Sequence, residues 1–357
     1  MLKINHILYA GLGGVFDVCN ILGKIDEERK VCTSFILIGP KKFKNKISKK
    51  NQKTYFVRTY KFSLFYFIPI LKKLILEKPD LIFVHNFQVL PVFLYKIISY
   101  KNPKIIYVDH TPNNLKSFKD FFICKISKLI IDFFIVLNKD SYNYFIENIR
   151  LNSKKIKIIP NAINKNFIKN DDKKNKTKNI LVVGMASRIN NLKRHDLIIE
   201  AIQHDILKNF NIKAYFAGGG ENINLLKNKI FKKNIFKFFG VLELKKLKKW
   251  YNSLDLYIQA TEGEGHSTSI LQAMGMNLPV LGSNVSGVNN FLIPQKKIGI
   301  FFNNDVKSLA KKIKYFAEMK DNKKNKIIRA QKDYILSNYS EIKFLNEYKK
   351  IIKKLIF

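Results

Sequence analysis

Acidic residues are scarce in this 357-residue sequence: 27 Asp and Glu stand against 65 Lys and Arg, a formal net charge of +38. So positive a chain attracts phosphates of any kind, whether in a nucleotide, a nucleic acid or an anionic lipid headgroup. Cysteine is also rare, and Cys19, Cys32 and Cys124 have no paired spacing, so neither a disulfide framework nor a zinc site is supported. No apolar run reaches the roughly eighteen residues that a membrane span needs. The richest stretch, 118–137, is interrupted by Lys119, Asp120, Lys125, Lys128 and Asp132. The first nine residues read as a strand and lack a signal-peptide cleavage pattern, so a cytosolic location is expected.

A chain of this length exceeds what one hydrophobic core usually serves, and two domains are the starting expectation. With 46% hydrophobic and 26% charged residues, the composition is globular and not disordered. Lysine carries most of the positive charge, with Asn and Ile abundant beside it, a bias that an AT-rich genome produces with no partner involved. The distribution is more local: residues 41–53 hold seven lysines, and the aromatic-rich stretch 60–68 precedes Lys72 and Lys73. Lysines beside exposed aromatics suit an anionic membrane interface. The same aromatics would serve equally well to fill the core of a first domain.

Strands and helices alternate along the chain. Strands are expected at 4–9, 34–38, 53–58, 81–84, 104–108, 133–137 and 156–159, with helices such as 63–76 and 140–148 between them. A second series is expected at 180–183, 213–217, 235–239, 256–260, 280–283 and 298–302. This is the pattern of parallel sheets with helical crossovers. Between the two series, 170–178 contains no apolar residue and reads as an interdomain linker. The expected fold is α/β, with two Rossmann-like doubly wound domains facing across a cleft. The first would span 1–165, the linker 166–179 and the second 180–338. A terminal helix, 339–357, would pack back across the first domain, with Ile342, Leu345, Tyr348, Ile352 and Leu355 along its apolar side.

In such sheets ligands sit beyond the carboxyl ends of the strands, so the loops there carry the chemistry. Gly11-Leu12-Gly13-Gly14-Val15 follows the first strand and would let a helix start approach a phosphate. Asp109-His110-Thr111-Pro112 places a histidine after the fifth. Gly184-Met185-Ala186-Ser187-Arg188 leads into Asn191-Leu192-Lys193-Arg194-His195-Asp196, where a guanidinium can fork onto a phosphate and an ammonium adds a point charge. Ala217-Gly218-Gly219-Gly220-Glu221 is another glycine-bearing loop. The most informative stretch is Glu264-Gly265-His266-Ser267-Thr268-Ser269-Ile270-Leu271-Gln272-Ala273-Met274. It sets a carboxylate and backbone amides at a strand-to-helix turn, and a carboxamide two turns down roughly the same helical face, while Ile270, Leu271 and Met274 turn inward. One end of a ligand could meet Glu264 and the other Gln272. The bland alternatives are a surface turn with an incidental acid, Lys193 and His195 as surface residues at a helix start, His85 orienting a loop, and Asp109 capping a turn.

In this order the residues resemble the GT-B-fold retaining glycosyltransferases of family four, the glycosyl transferases group 1, whose members carry Glu-x7-Glu in the second domain. Here the motif reads Glu-x7-Gln, from Glu264 to Gln272, with Leu278-Pro279-Val280 behind it. The resemblance also takes in Gly13-Gly14, His110, Pro160-Asn161-Ala162-Ile163-Asn164, Arg188 with Lys193, and Gly218-Gly219-Gly220. It spans nearly the whole chain and is strongest over 181–293.

The resemblance implies transfer of a sugar from a nucleotide-sugar donor, UDP-sugars ahead of GDP-sugars, to a hydroxyl of a glycan or lipid-linked acceptor. The setting would be bacterial surface polysaccharide or glycolipid synthesis, in the cytoplasm or on the inner face of the plasma membrane. Glu264 would bind donor-sugar hydroxyls, and the backbone around Gly265, His266, Ser267 and Thr268 would hold sugar and phosphate. Arg188 and Lys193 would neutralise the departing diphosphate. Gly13 and Gly14 would approach it from the first domain, Gly184 and Gly219 would belong to the donor-binding loops, and His110 would contact the donor sugar or order the acceptor. Gln272 stands where the family's second Glu binds ribose hydroxyls. Its single acceptor oxygen and NH2 donor imply weaker or differently oriented ribose binding.

Retention without a covalent intermediate is implied. Neither metal nor cofactor is expected, because no Asp-x-Asp stands at a strand end and the Arg/Lys pair supplies positive charge. Two other readings remain open: a nucleotide-sugar epimerase on the same fold, and a basic membrane- or nucleic-acid-binding protein. A nucleic-acid partner is not expected, since it would not call for Arg188, Lys193 and Glu264 on successive loops.

Overall fold

The computed structural model describes residues 1–9, 13–28, 31–39, 52–57, 67–86, 89–169, 180–292, 300–301 and 305–357. The lysine-rich 41–51, the aromatic 60–66, Gly11, Leu12 and the 170–179 part of the expected linker lie outside the described residues. The chain forms two compact units, Met1–Asn161 with Glu341–Phe357, and Ala162–Ser340.

In the first unit, β1 (Leu2–Tyr9), β2 (Val31–Ile38), β3 (Lys53–Val57), β4 (Leu81–His85), β5 (Lys104–Asp109), β6 (Phe133–Val136) and β7 (Ile156–Ile158) form one sheet in the order β3-β2-β1-β4-β5-β6-β7. Every pairing is parallel. β4 and β6 are buried along their whole length, which is why they read as unbroken apolar runs instead of alternating ones. Ile82, Val84, Ile105, Phe134 and Phe145 lie in the core.

The last helix, Glu341–Ile356, belongs to this unit. Its buried seam is Phe344, Tyr348, Ile351 and Ile352, and Ile342, expected on that side, is 73% exposed. The aromatics decide the rotation: Tyr348 packs on Phe344 at 4.6 Å and on Phe83 at 5.8 Å between ring centroids, burying more area than Ile342 could.

In the second unit, β8 (Leu181–Ala186), β9 (Ile212–Ala217), β10 (Phe236–Phe238), β11 (Leu256–Gln259), β12 (Val280–Ser283) and β13 (Ile300–Phe301) run β10-β9-β8-β11-β12-β13, again all parallel. Among the described residues thirteen strands form, each overlapping one of the thirteen expected. Each sheet grows outward from its first strand on one side and then reverses, at β1/β4 and at β8/β11, and such reversals are where doubly wound sheets bind ligands.

The described start of the expected linker, 166–169, lies in the second unit, Ala162–Ser340. Phe167 is 1% exposed and meets Tyr251 edge-on at 5.8 Å, so an aromatic within a polar stretch anchors that segment in the second core. Among the described residues, no helix is long and apolar enough to cross a membrane.

Candidate active site

The second unit gathers its polar groups at the β8/β11 reversal. β11 holds Tyr257 and Gln259 two residues apart, hence on one face, and both are fully buried. Tyr257 donates its hydroxyl hydrogen to Gln259 Oε1 at 2.8 Å, and Ser269 Oγ donates to the same oxygen at 3.0 Å. Those two donors fix the carboxamide, so Gln259 Nε2 points at Glu264 and donates to its Oε1 at 3.0 Å. Lys193 Nζ donates to that same carboxylate oxygen. Glu264 Oε2 makes no hydrogen bond among the described residues. One carboxylate oxygen is therefore anchored while the other remains available to hydroxyls.

The loop after β8 is stitched to the turn after β11. Glu262 N donates to Leu192 O at 2.9 Å, Thr261 Oγ1 donates to Leu192 O at 3.1 Å, and Arg194 bridges Asp196 to Glu262, the latter at 3.4 Å. The Gly218-Gly219-Gly220 run clamps the same loop from the β9 side. A Cβ on Gly218 would lie 1.9 Å from Ser187 O and one on Gly220 1.9 Å from Ile189 O, so glycine alone permits this approach. Between those two contacts projects Arg188, which is exposed and whose guanidinium has no acceptor among the described residues. Arg188 and Lys193 thus flank one strand end, the first uncommitted and the second held beside Glu264.

The helix Thr268–Gly275 follows with Ser267 at its N-cap, and Ile270, Leu271 and Met274 are fully buried. Gln272 is 6% exposed and accepts from the Tyr251 hydroxyl at 3.0 Å. His266 does not present its ring as a ligand group. It packs against Phe291 and Tyr339 at 4.4 and 5.0 Å, and burial pulls its pKa down to about 3.

The first unit places a different set at its β1/β4 reversal. His85, ending β4, contacts His110 Nε2 through Nδ1 at 3.0 Å and His6 Nδ1 through Nε2 at 3.2 Å. Cys19 Sγ lies 3.5 Å from the same Nε2. Burial draws His6 down to about 3, His110 to about 4, and His85 well below the usual imidazole range. Asp109 does more than cap a turn: it forms a sealed ion pair with Lys116 at 2.7 Å, the side chains 0% and 1% exposed. Gly13 stands in extended backbone at the start of the helix Gly14–Leu22, with open space where a Cβ would be.

Comparison with known proteins accords with this arrangement. A family model described as Glycosyltransferase Family 4 matches residues 38–167, and one described as Glycosyl transferases group 1 matches 177–318. The chain is a GT-B glycosyltransferase.

Among curated relatives, the glycosyltransferase resembles Protein CapJ of Staphylococcus aureus, 31% identical over 56% of this chain and 52% of CapJ, so the match takes in about half of that protein. It is 28% identical to an uncharacterized glycosyltransferase, MJ1069, of Methanocaldococcus jannaschii, over 74% of this chain and 71% of that one. In fold it matches Anabaena HepE, solved with UDP and glucose, at a TM-score of 0.82 and 16% identity over 99% of this chain and 100% of that one. It matches a point mutant of S. aureus TarM, solved with UDP, fondaparinux and α-GlcNAc-glycerol, at 0.78 and 16% identity over 98% and 99%.

Of the residues expected at the glycosyltransferase's site, Arg188, Lys193, Glu264 and the start of the Thr268 helix gather at one strand reversal. Gly184 does not belong with them: it lies inside β8, where a Cβ would press on Leu254 at 2.7 Å, so it serves strand packing. Gly219 serves the loop clamp, its carbonyl accepting from Ile189 N at 3.0 Å. Sequence reasoning missed Gln259, Ser269, Thr261 and Gly287. A Cβ on Gly287 would fall 2.2 Å from Glu264 O, so this glycine lets a neighbouring helix start press on the turn. Gln259 left one signal, a carboxamide in a strand otherwise apolar enough to be buried.

Proposed function

We propose that this glycosyltransferase moves a sugar, with retention of anomeric configuration, from a nucleotide-sugar donor to a hydroxyl of a glycan or lipid-linked acceptor used in surface polysaccharide or glycolipid synthesis. UDP-sugars are the favoured donors, ahead of GDP-sugars. The observation that carries the proposal is the Glu264 carboxylate, pinned through Oε1 by Lys193 and Gln259, with the exposed Arg188 on the same loop as Lys193. HepE and TarM, both solved with UDP, support the choice of donor.

In this mechanism Glu264 Oε2 accepts from donor-sugar hydroxyls. The backbone N–H groups at the start of the Thr268 helix face anionic or polar oxygens. Arg188 and Lys193 stabilise the charge that grows on the leaving diphosphate, so no metal is required. The leaving phosphate oxygen takes the acceptor's proton, and the acceptor oxygen attacks from the same face without a covalent intermediate. Gln272 takes the ribose hydroxyls, and His110 contacts the donor sugar or orders the acceptor. A thermal-shift screen of UDP-, GDP- and ADP-sugars tests the donor. A UDP-sugar at about a hundred times its Kd should stabilise the binding unit by roughly 2.7 kcal/mol, and no shift with any of the three classes would sink the proposal.

A lipid-linked acceptor places the enzyme at an anionic membrane surface. Supporting this, the helix Phe118–Ser127 and its end expose Phe118 at 78%, Phe122 at 54%, Ile126 at 56% and Leu129 at 79%, with Lys119 and Lys125 also exposed. Apolar side chains at helical spacing among lysines suit an interfacial helix. The enzyme should co-sediment with phosphatidylglycerol-containing vesicles and much less with Phe118→Ser/Phe122→Ser substituted. Equal recovery on pure phosphatidylcholine would remove the membrane from the proposal.

A further inference from the structure

The three imidazoles of the first unit form a line from the core to the loop after β5, and no donor- or acceptor-binding role assigned above uses the inner two. His6 is held between Phe83 and Phe35, at 4.6 and 5.2 Å between ring centroids. His85 spends both nitrogens, Nδ1 on His110 and Nε2 on His6 and Cys19. The main chain of His110 is fixed from the same place: its N–H donates to Asn86 Oδ1 at 3.1 Å, and Asn86 adopts a left-handed φ of 66°. One dipeptide at the end of β4 therefore holds both the backbone and the ring of His110.

We propose that His85 is a positioning residue that sets the tautomer of His110, with Cys19 and His6 setting the polarity of the line from its buried end. An imidazole between two neighbours must donate from one nitrogen and accept at the other, and which nitrogen holds the proton is fixed by its partners. A thiol donates weakly, and its sulfur is a weak acceptor. Burial raises the Cys19 pKa, so the group stays a protonated thiol. In the proposed polarity Cys19 is the donor and His85 Nε2 the bare nitrogen, its single lone pair shared between Cys19 and His6 Nδ1–H, while its Nδ1–H donates to His110 Nε2. His110 is left as the Nδ1–H tautomer, able to donate from its remaining edge. Because burial keeps these rings neutral, the tautomer and not the charge is the variable. The kinetic consequence rests on the proposed place of His110 beside the donor sugar or acceptor; the spectroscopic one does not.

The competing occupant is a soft cation, since His6, Cys19 and His85 present ligand atoms within 4.8 Å of one another. The test is long-range 1H–15N spectroscopy of the full chain labelled at histidine, in chelator and then with zinc chloride added. In chelator, His85 and His110 should each show a single Nδ1–H tautomer. His85→Phe should shift His110 to a mixture, Cys19→Ala should weaken the bias, and Cys19→Ser, which keeps a donor, should restore it. An unchanged His110 in His85→Phe, or stoichiometric zinc that shifts His6 and His85 and is lost in Cys19→Ala, would overturn the proposal. With the donor identified, His85→Phe should lower turnover by roughly two- to tenfold, the scale of one misaligned hydrogen bond, while Cys19→Ser stays near wild type. A moved tautomer with unchanged turnover would leave the line standing and remove His110 from the proposed transfer.

Discussion

The two units solve the same topological problem with opposite chemistry. Each sheet reverses beside its first strand, and each gathers polar side chains there. In the second unit these are charges left partly open to water, with Lys193 at 18% and Glu264 at 16% side-chain exposure, joined to a second ionic link through Arg194 and Glu262. In the first they are imidazoles that burial keeps neutral, His6 and His85 fully buried and His110 half-buried, with its sealed ion pair, Asp109–Lys116, bonded elsewhere. A pair partly open to water can keep its charge and trade partners with an arriving anion. A buried neutral line cannot neutralise charge, but it can hold an orientation.

The largest expected effect follows from removing the charge at the centre of the second unit. Glu264→Gln keeps an acceptor for Gln259 and for Lys193 but deletes the negative charge and the free carboxylate oxygen. With a donor identified, kcat/KM should fall by about a hundredfold or more, the scale seen when one preorganised polar group is lost from a reacting centre. Thermal stability should fall only moderately, because the glutamine oxygen still accepts from Gln259 and Lys193 although the half-buried ion pair loses its negative partner. A variant that melts early and transfers normally would show Glu264 to be structural.

Acid should separate the units next. Burial depresses His6, His85 and His110 in the first unit and His195 and His266 in the second. Above the unfolded value of about 6.5, both folded and unfolded chains are neutral at these positions. As the pH falls below it, only the unfolded chain takes up protons, until the depressed folded values are reached, about 3 to 4 for His6, His110, His195 and His266 and well below the usual imidazole range for His85. Stability is thus full above 6.5 and declines with acid, by up to about 1.4 kcal/mol per pH unit for each such histidine. Trp250 is the only tryptophan, 3% exposed in the second unit, so its fluorescence follows that unit while circular dichroism follows both. Between pH 7.5 and 5 the dichroism should show a transition moving down further than the Trp250 signal. Equal movement would erase the contrast.

The same contrast explains what the sequence made legible. The strands were readable because parallel strands covered on both faces are apolar runs, and the charged site was readable because Glu264 to Gln272 is one local segment at helical spacing. The histidine line was not, since residues 6, 19, 85 and 110 meet only through the β1/β4 pairing, which no short spacing encodes. Gly184 departs from its expected place for the converse reason: it stands within a motif-bearing segment, yet it lies inside β8 and its neighbour there is Leu254. Phe167 escaped notice as an anchor because its surroundings are polar in sequence and apolar in space.

The smallest expected effect falls on Gln272. Its Oε1 accepts from Tyr251, whose hydroxyl also reaches Ser269 O at 3.3 Å. In Gln272→Glu a carboxylate could keep the Tyr251 bond and offer its other oxygen to ribose hydroxyls, where the amide offers NH2. One gained hydrogen bond of about 0.5–1.5 kcal/mol should lower the donor KM by roughly two- to tenfold, with kcat nearly unchanged. At 6% exposure the new charge also costs stability without donor, since burial disfavours the ionised form. The free variant should therefore melt below wild type, and its stabilisation by donor should be larger. A lower melting temperature with the same or a higher KM would mean that Gln272 serves Tyr251 alone, and that the second unit grips its nucleotide elsewhere.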